Sequence, residues 1–376
     1  MAQMGEGGVR LGPLRVHAGV SVAETFTDNY FLDKDDRRSE WITTVSPSLV
    51  LHLPLRRHSL DFQYRSDFNE NARFHDYNTD NHMLAGRFTL DFPGGLVIKA
   101  GHQWTYNNNP ATTFGDENKR FMDNASTLEA EYRFSDRYSV GARYGHTIHR
   151  FDKERFDLDD FDKDDVALSL NYRILPKTTL FLEGGWTRTE YPNRWPISFD
   201  NDLYRVWIGA RTKPTAKIVG ELKGGWSKKV FDDDRVGDDV STYGFEGSLH
   251  YDPTPYTRLG LVLFRRVEDT QFTTTQSVAY GSSYNTTGGT LQATHRFTPR
   301  LSARGSVGLA YDQYNEEGIT GEKRKDTRFR GGVGIDYKIW KWITVGTSYQ
   351  FTSNDSNVDM EDYTENRFMA HASFGF

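Results

Sequence analysis

Arg367-Phe368-Met369-Ala370-His371-Ala372-Ser373-Phe374-Gly375-Phe376, the last ten residues, decide how the rest of the chain is read. Side chains alternate across a strand, so Phe368, Ala370, Ala372, Phe374 and Phe376 share one face and Arg367, Met369, His371, Ser373 and Gly375 the other. One face is apolar and the other wet, as in a strand with hydrocarbon on one side and water on the other. A soluble sheet ending on an aromatic would look the same over one strand, so the remaining residues must choose.

Composition favours lipid. Only 36% of the 376 residues are hydrophobic, 26% are charged and mean hydropathy is −0.69, yet aromatics reach 14%, with 20 Tyr and 25 Phe. A soluble core of this size would use more aliphatic side chains, whereas a membrane barrel needs one apolar residue in two, with aromatics at its interfaces. The longest apolar piece, Leu259 to Phe264, is strand-sized and far short of the roughly 18 to 20 residues of a spanning helix. Any crossing must be made by strands. With no cysteine, a disulfide framework and a thiolate metal site are excluded. The net charge of −6 argues against a nucleic-acid partner, which wants a basic face. Met1-Ala2-Gln3 lacks the charged start and apolar stretch of an export signal, so the expectation is a mature chain with an added Met.

Period-two segments recur along the whole chain, with connections alternating between short and long. The short ones fall at Pro54–Arg57, Pro93–Gly95, Ser135–Arg137, Leu175–Lys177, Thr212–Pro214, Asp252–Pro255, Thr298–Arg300 and Ile339–Lys341. The long, acidic ones fall near residues 29–39, 69–79, 108–122, 150–164, 191–201, 230–239, 268–283, 315–325 and 354–363. Eight short turns and nine long loops join eighteen strands. The spacing therefore predicts an all-β, transmembrane, antiparallel up-and-down barrel over residues 13–376, after a flexible segment 1–12, with short periplasmic turns and long extracellular loops. Val166, Leu168, Leu170, Tyr172 and Ile174 alternate with Ala167, Ser169, Asn171 and Arg173, and no segment of helical period is available to cover the apolar side. Aromatics such as Trp41, Trp186, Trp226, Tyr251, Phe297, Trp340 and Trp342 cluster at strand ends as two interfacial girdles. Pro47 removes a ladder donor, so a bulge or distortion is expected there.

Two resemblances follow. The ending Phe374-Gly375-Phe376 resembles the terminal signature of bacterial outer-membrane barrels, which the barrel assembly machinery reads; this implies Phe376 and Phe374 as the closing signal. Thr27-Asp28-Asn29-Tyr30-Phe31, Ser39-Glu40-Trp41-Ile42-Thr43-Thr44-Val45-Ser46-Pro47-Ser48-Leu49 and Leu60-Asp61-Phe62-Gln63-Tyr64 resemble the opening of the putative beta-barrel porin family of Gram-negative bacteria. That resemblance implies a pore in the cell outer membrane, amid lipid and lipopolysaccharide, for exopolysaccharide secretion with periplasmic export proteins as partners. It brings no catalytic or binding residues.

Alternation assigns the pore-lining positions. Arg15, Arg65, Arg87, Lys99, Arg133, Arg143, Arg173, Arg205, Arg211, Lys223, Arg266, Arg296, Arg304, Arg328, Arg330 and Arg367 point inward, against Asp61, Asp67, Asp91, Glu129, Glu131, Glu183, Glu221, Glu246 and Asp336. The basic excess suggests a channel favouring anions or acidic sugars; equally, such charges can form ladders that stiffen the wall. The acidic loops 152–165 and 231–234 are solvated chain or, less readily, a site for a divalent cation, since the calcium-loop Gly is missing. No other cofactor is implied. His102, His146 and His295 face outward without a nucleophile at triad spacing, so no enzyme is expected. Polysaccharide export comes first, a general or anion-preferring diffusion porin second, and an adhesive or structural barrel, or the sheath of a cytochrome conduit, third.

Overall fold

A computed structural model describes residues 8–109, 118–194, 196–270, 283–317 and 321–376. The strands are β1 (Val9–Leu11), β2 (Leu14–Thr27), β3 (Glu40–Leu55), β4 (His58–Asn71), β5 (Thr79–Asp91), β6 (Leu96–Asn109), β7 (Lys119–Arg133), β8 (Tyr138–Phe151), β9 (Phe161–Leu175) and β10 (Thr178–Glu190). They continue as β11 (Asn201–Thr215), β12 (Ile218–Phe231), β13 (Val240–Thr254), β14 (Thr257–Asp269), β15 (Ser283–Arg296), β16 (Leu301–Tyr314), β17 (Lys325–Trp340), β18 (Ile343–Ser356) and β19 (Tyr363–Gly375). Each strand from β2 onward pairs antiparallel with the next, and β19 returns to β2, closing eighteen strands into a barrel with β1 as an extra. Among the described residues helical structure is confined to three short 3-10 turns in the loops.

The seam explains the extra strand. β19 pairs only with Gly19–Thr27 of β2, which leaves Leu14–Val16 without a partner on that side. β1, inside the lead-in expected to be flexible, pairs with those three residues, so the edge donors and acceptors are not left open. The Phe376 amide donates to the Ala18 carbonyl, Ser21 and Ser373 hydroxyls meet at 2.9 Å, and Asp28 accepts from the Asn366 amide at 2.8 Å. The last strand is thus fastened at both ends and in the middle.

Two expectations are corrected. Thr212-Lys213-Pro214 and Asp252-Pro253-Thr254 are strand, not turn: β11 and β13 run on, with the register slipping between Thr212 and Thr215 and between Tyr251 and Thr254. A bulge needs no ladder donor from its proline, so the residue that looked like a stop marks an irregularity instead. At Pro47 the expected distortion is present, in the form of a gap. Pairing with β4 lapses at Ser46 and Pro47, but Val45↔Phe68 and Ser48↔Arg65 keep one register, so there is a gap and no bulge. The cores of the expected loops 108–122 and 268–283 lie outside the described residues.

Large apolar side chains stand exposed on one face of nearly every strand: Leu168, Leu170, Val206, Ile208, Leu222 and Val333 are among the most exposed residues of the chain. Aromatic pairs mark the turn end, with Trp340 stacked on Trp342 at 5.8 Å and Tyr138 on Tyr172 at 5.1 Å. Loops carry their own small core. Phe31 is wholly buried against Tyr30, Phe74 and Tyr77, while the Glu40 carboxylate accepts from the backbone N–H of Trp41 (2.7 Å) and Phe74 (2.9 Å).

Candidate functional site

Side chains two strands apart approach most readily on the concave side of a closed sheet, and several meet there. Lys223 of β12 reaches Glu183 of β10 at 3.1 Å, Arg205 of β11 bonds Asp165 of β9, and the Trp207 ring of β11 lies against Gly244 of β13. Trp207 is only 3% exposed, its N–H donating to Ser227 and its ring carrying Lys223 Nζ at 5.0 Å. These residues define the inner face, and register places every inward position named above on it. Glycine is required where the wall is tightest: a Cβ on Gly225 would sit 2.1 Å from the Val206 carbonyl.

Toward the loops the inner face is laced with ion pairs. Asp165 takes Arg143 (3.2 Å), Arg205 and the Thr187 hydroxyl (2.7 Å); Arg328 meets Asp312 at 2.7 Å and Arg367 meets Glu365 at 2.6 Å. Arg65 is paired with Asp67, Arg211 with Glu221, Arg266 with Glu268, Arg304 with Asp336, and Lys99 with Glu129. Lys223 also reaches Glu246 at 3.3 Å. The remaining six arginines, Arg15, Arg87, Arg133, Arg173, Arg296 and Arg330, have no carboxylate within 4.0 Å among the described residues. Five lie in the turn-side part of their strands and Arg330 near mid-strand. The turns add Arg56, Arg57, Arg137, Lys177, Lys217, Arg300 and Lys341, of which Arg57 is paired with Asp91 at 2.8 Å. Unpaired guanidiniums therefore gather mostly at the turn end, beside the pairs Lys99–Glu129, Arg211–Glu221 and Arg304–Asp336, while toward the loops the inner charges are compensated.

Asp123, Asp165, Glu268, Asp312, Asp326, Glu365 and Lys229 also lie on the inner face and escaped the sequence reading. The cause is strand length. Strands of 13 to 16 residues overshoot the roughly 9 to 11 needed to cross a bilayer, so their loop-side ends lose the apolar alternation and resemble loop. The outer loops commit their carboxylates internally: Asp159 to Arg194 at 2.7 Å, Asp232 to Arg188 at 2.7 Å, Asp233 to Arg235. Burial still pushes Asp159 up to about 6, against the pull of Arg194. No group of three or more ligand side chains able to hold a metal ion comes together among the described residues.

On the outer face three histidines meet Ser or Thr hydroxyls, His82 with Ser66 (2.8 Å), His102 with Ser126 (2.9 Å) and His295 with Thr257 (2.9 Å), and His82 also meets the Tyr64 hydroxyl at 3.3 Å. His146 instead bonds Asp164 at 2.8 Å. His82 has the Asp80 carboxylate 3.8 Å from its Nε2, beyond hydrogen-bond reach, and for His102 and His295 no carboxylate is bonded to the second ring nitrogen among the described residues, so none has the hydrogen-bonded geometry of a triad.

The family model described as Putative beta-barrel porin 2 matches residues 3–375. The chain belongs to that family. Among solved structures this porin is similar to Pseudomonas aeruginosa OccK1 (OpdK), with TM-score 0.52, 8% identity and coverage of 96% of this chain and 99% of that one. It is likewise similar to OccK2 (OpdF) of the same organism, with TM-score 0.51, 10% identity and coverage of 96% and 98%. OpdK has also been solved with vanillate, and that structure matches at TM-score 0.51 and 8% identity over 96% and 99%. Such low identity shows the fold alone: a closed antiparallel outer-membrane barrel. No curated protein matches the sequence. The porin therefore sits in the outer membrane of a Gram-negative bacterium, its exposed apolar face toward lipid, its turns periplasmic and its loops outside.

Proposed function

We propose that the barrel is a diffusion channel for small hydrophilic solutes that favours anions, and that it has no catalytic role. The observation carrying this is the set of guanidinium groups without carboxylate partners toward the periplasmic end, above all Arg133 and Arg173. Fixed charge in a low-dielectric bore acts on passing ions far more strongly than in bulk water. The compensated pairs, at either end, serve as wall ladders and add little net field, so both readings of the inner charges apply, to different residues. Secretion of an exopolysaccharide gains no support here: of the inner-face aromatics suited to a track for sugar rings, Phe181, Trp207 and Phe231 are buried, the half-buried Phe121, Phe151 and Phe161 sit at the loop-side ends of their strands, and Phe264 lies under the Arg266 guanidinium.

The test is the reversal potential of the channel in planar bilayers under a potassium chloride gradient. Neutralising Arg87, Arg133, Arg173 and Arg296 together with glutamine is expected to lower the anion-over-cation permeability ratio roughly threefold or more. An unchanged ratio would exclude these arginines as the selectivity determinant. Neutralising Arg143 and Arg304 leaves Asp165 on Arg205 and Asp336 on His371, so a smaller shift is expected.

A further inference from the structure

The periplasmic half of the inner wall has a hollow over β8 and β9. Its floor is made of small side chains, Gly141 of β8 and Ala167 and Ser169 of β9, packed so closely that a Cβ on Gly141 would lie 2.5 Å from the Ser169 hydroxyl. Larger side chains rise around it, Glu129, Glu131 and Glu183 together with Lys99, Arg143 and Arg211, and these three cations are paired with Glu129, Asp165 and Glu221. Asn171 closes the floor toward the turns; it is 7% exposed, and its Oδ1 has no hydrogen-bond partner.

The charges around this hollow do not cancel one another. Glu131 accepts a hydrogen bond from the Ser139 hydroxyl at 2.9 Å but has no cation within 4.0 Å among the described residues. Glu129 and Glu183, its neighbours, do have one, Lys99 at 3.6 Å and Lys223 at 3.1 Å. One inward step nearer the periplasm stands Arg133 on β7, and a further step on stands Arg173 on β9, neither with a carboxylate within 4.0 Å among the described residues. Register ties the set together: Arg133 faces Ser139, which faces Asn171, and Glu131 faces Gly141, which faces Ser169. A carboxylate without a cation thus lies one inward step from the Arg133 guanidinium and two from that of Arg173, while Lys99, Glu129, Arg143, Glu183 and Arg211 around the hollow are paired. Leaving charge uncompensated in a confined space costs free energy, and a solute of complementary charge relieves it.

We propose that this hollow is a binding subsite for small zwitterions of the short-peptide type, with the ammonium on Glu131 and the carboxylate on Arg133 and Arg173. Successive inward residues on a strand are about 7 Å apart, and an extended dipeptide spans about the same distance. A plain carboxylate would satisfy the arginines and leave Glu131 opposed to it. A plain amine would do the reverse. A hydroxylated acid would offer Glu131 a hydrogen bond but no charge, which is the weaker match. The peptide group between the two ends lies over Ser169 and Asn171, whose unpartnered Oδ1 supplies an acceptor once the amide turns outward.

This rests on the channel reading, and one experiment separates the two. Single channels in planar bilayers are exposed from the periplasmic side to glycylglycine, acetate, methylammonium or glucuronate. Glycylglycine is expected to interrupt the current in brief blocks whose frequency rises with concentration, and the other three to produce none or blocks at least tenfold shorter. Glu131→Gln is the decisive variant. It removes a negative charge, so any solute held by the arginines alone should stay longer, whereas glycylglycine blocks should shorten about tenfold. Arg173→Gln should shorten them as well, and retained open-channel current shows that either variant is folded. Equal blocking by glucuronate or acetate, or glycylglycine blocks that Glu131→Gln leaves unchanged or lengthens, would overturn the proposal. An open current that glycylglycine never interrupts sinks the subsite alone. Absence of any current sinks the channel reading, and the subsite with it.

Discussion

Replacing Ile208 by arginine is expected to destabilise the barrel by about 2–4 kcal/mol in a bilayer, although Ile208 is 67% exposed and touches no core. On a water-facing surface such an exchange stays within about 0.5 kcal/mol, so size of effect identifies the solvent. Ile208 pairs with Leu182 on β10 and Gly224 on β12, in the middle of an apolar patch that continues through Val206 and Leu222. A guanidinium there must leave water or drag water and headgroups inward, and from mid-strand the rim is far. The matched control is Ser248→Arg on the inner face of β13, expected to change stability by roughly 1 kcal/mol or less because that face is already polar. Urea unfolding in lipid vesicles, followed by tryptophan fluorescence, measures both. Equal costs at the two positions would show that the faces had been exchanged, which a one-residue slip of β11 would do.

What made that assignment readable is the simplicity of the rule in the hydrocarbon zone. In β8 and β9 Tyr138, Val140, Leu168 and Leu170 alternate with Ser139, Gly141, Ser169 and Asn171, and the structure repeats the alternation residue for residue. The same rule is silent beyond the membrane. Asp162, Lys163, Asp164 and Asp165 belong to β9, but a strand whose two faces both meet water or polar neighbours has no reason to alternate, so its sequence matches that of a loop. The hub formed by Asp165, Arg143 and Arg205 was therefore only half visible. Ion-pair partners across two strands are equally beyond local pattern, because curvature of the closed sheet, and no feature of either strand, brings Lys223 to Glu183. Pro214 and Pro253 misled for a different reason, whereas Pro47 brought the distortion expected of it. Pro47 and Pro214 carry the same local restriction, but the pairing partner decides whether it becomes a gap or a bulge.

Phe31→Ala is expected to cost about 3–5 kcal/mol, yet to leave the barrel standing. Phe31 has no exposed surface and is enclosed edge-on by Tyr30 at 5.0 Å, Phe74 at 5.0 Å and Tyr77 at 5.1 Å. Those rings join the loop after β2 to the loop after β4, and none belongs to the strand ladder. The first loop is also held by the Asn29 amide, which donates to the carbonyls of Asp33 (2.7 Å) and Thr364 (2.9 Å), by the Tyr30 N–H on the Arg38 carbonyl (2.7 Å), and by exposed contacts of Lys34 with Asp359 and Asp362 and of Arg37 with the Thr364 hydroxyl. Hydrogen bonds of this kind contribute about 1 kcal/mol each, too little to keep the loop shut once the aromatic cluster is gone. Opening should therefore be local, raising the population of the released loop by a factor on the order of a hundred or more. Trypsin acting on intact vesicles reads this as faster cleavage after Arg37, Arg38 or Arg73, with the strand core still protected. Glu40→Gln, which weakens the bonds to the Trp41 and Phe74 amides without removing a ring, should open the same segment by a smaller factor. If the core is digested along with the loop, the cluster also carries the β19–β2 seam, through Asn29 and Thr364, and closure of the barrel depends on its first outer loop.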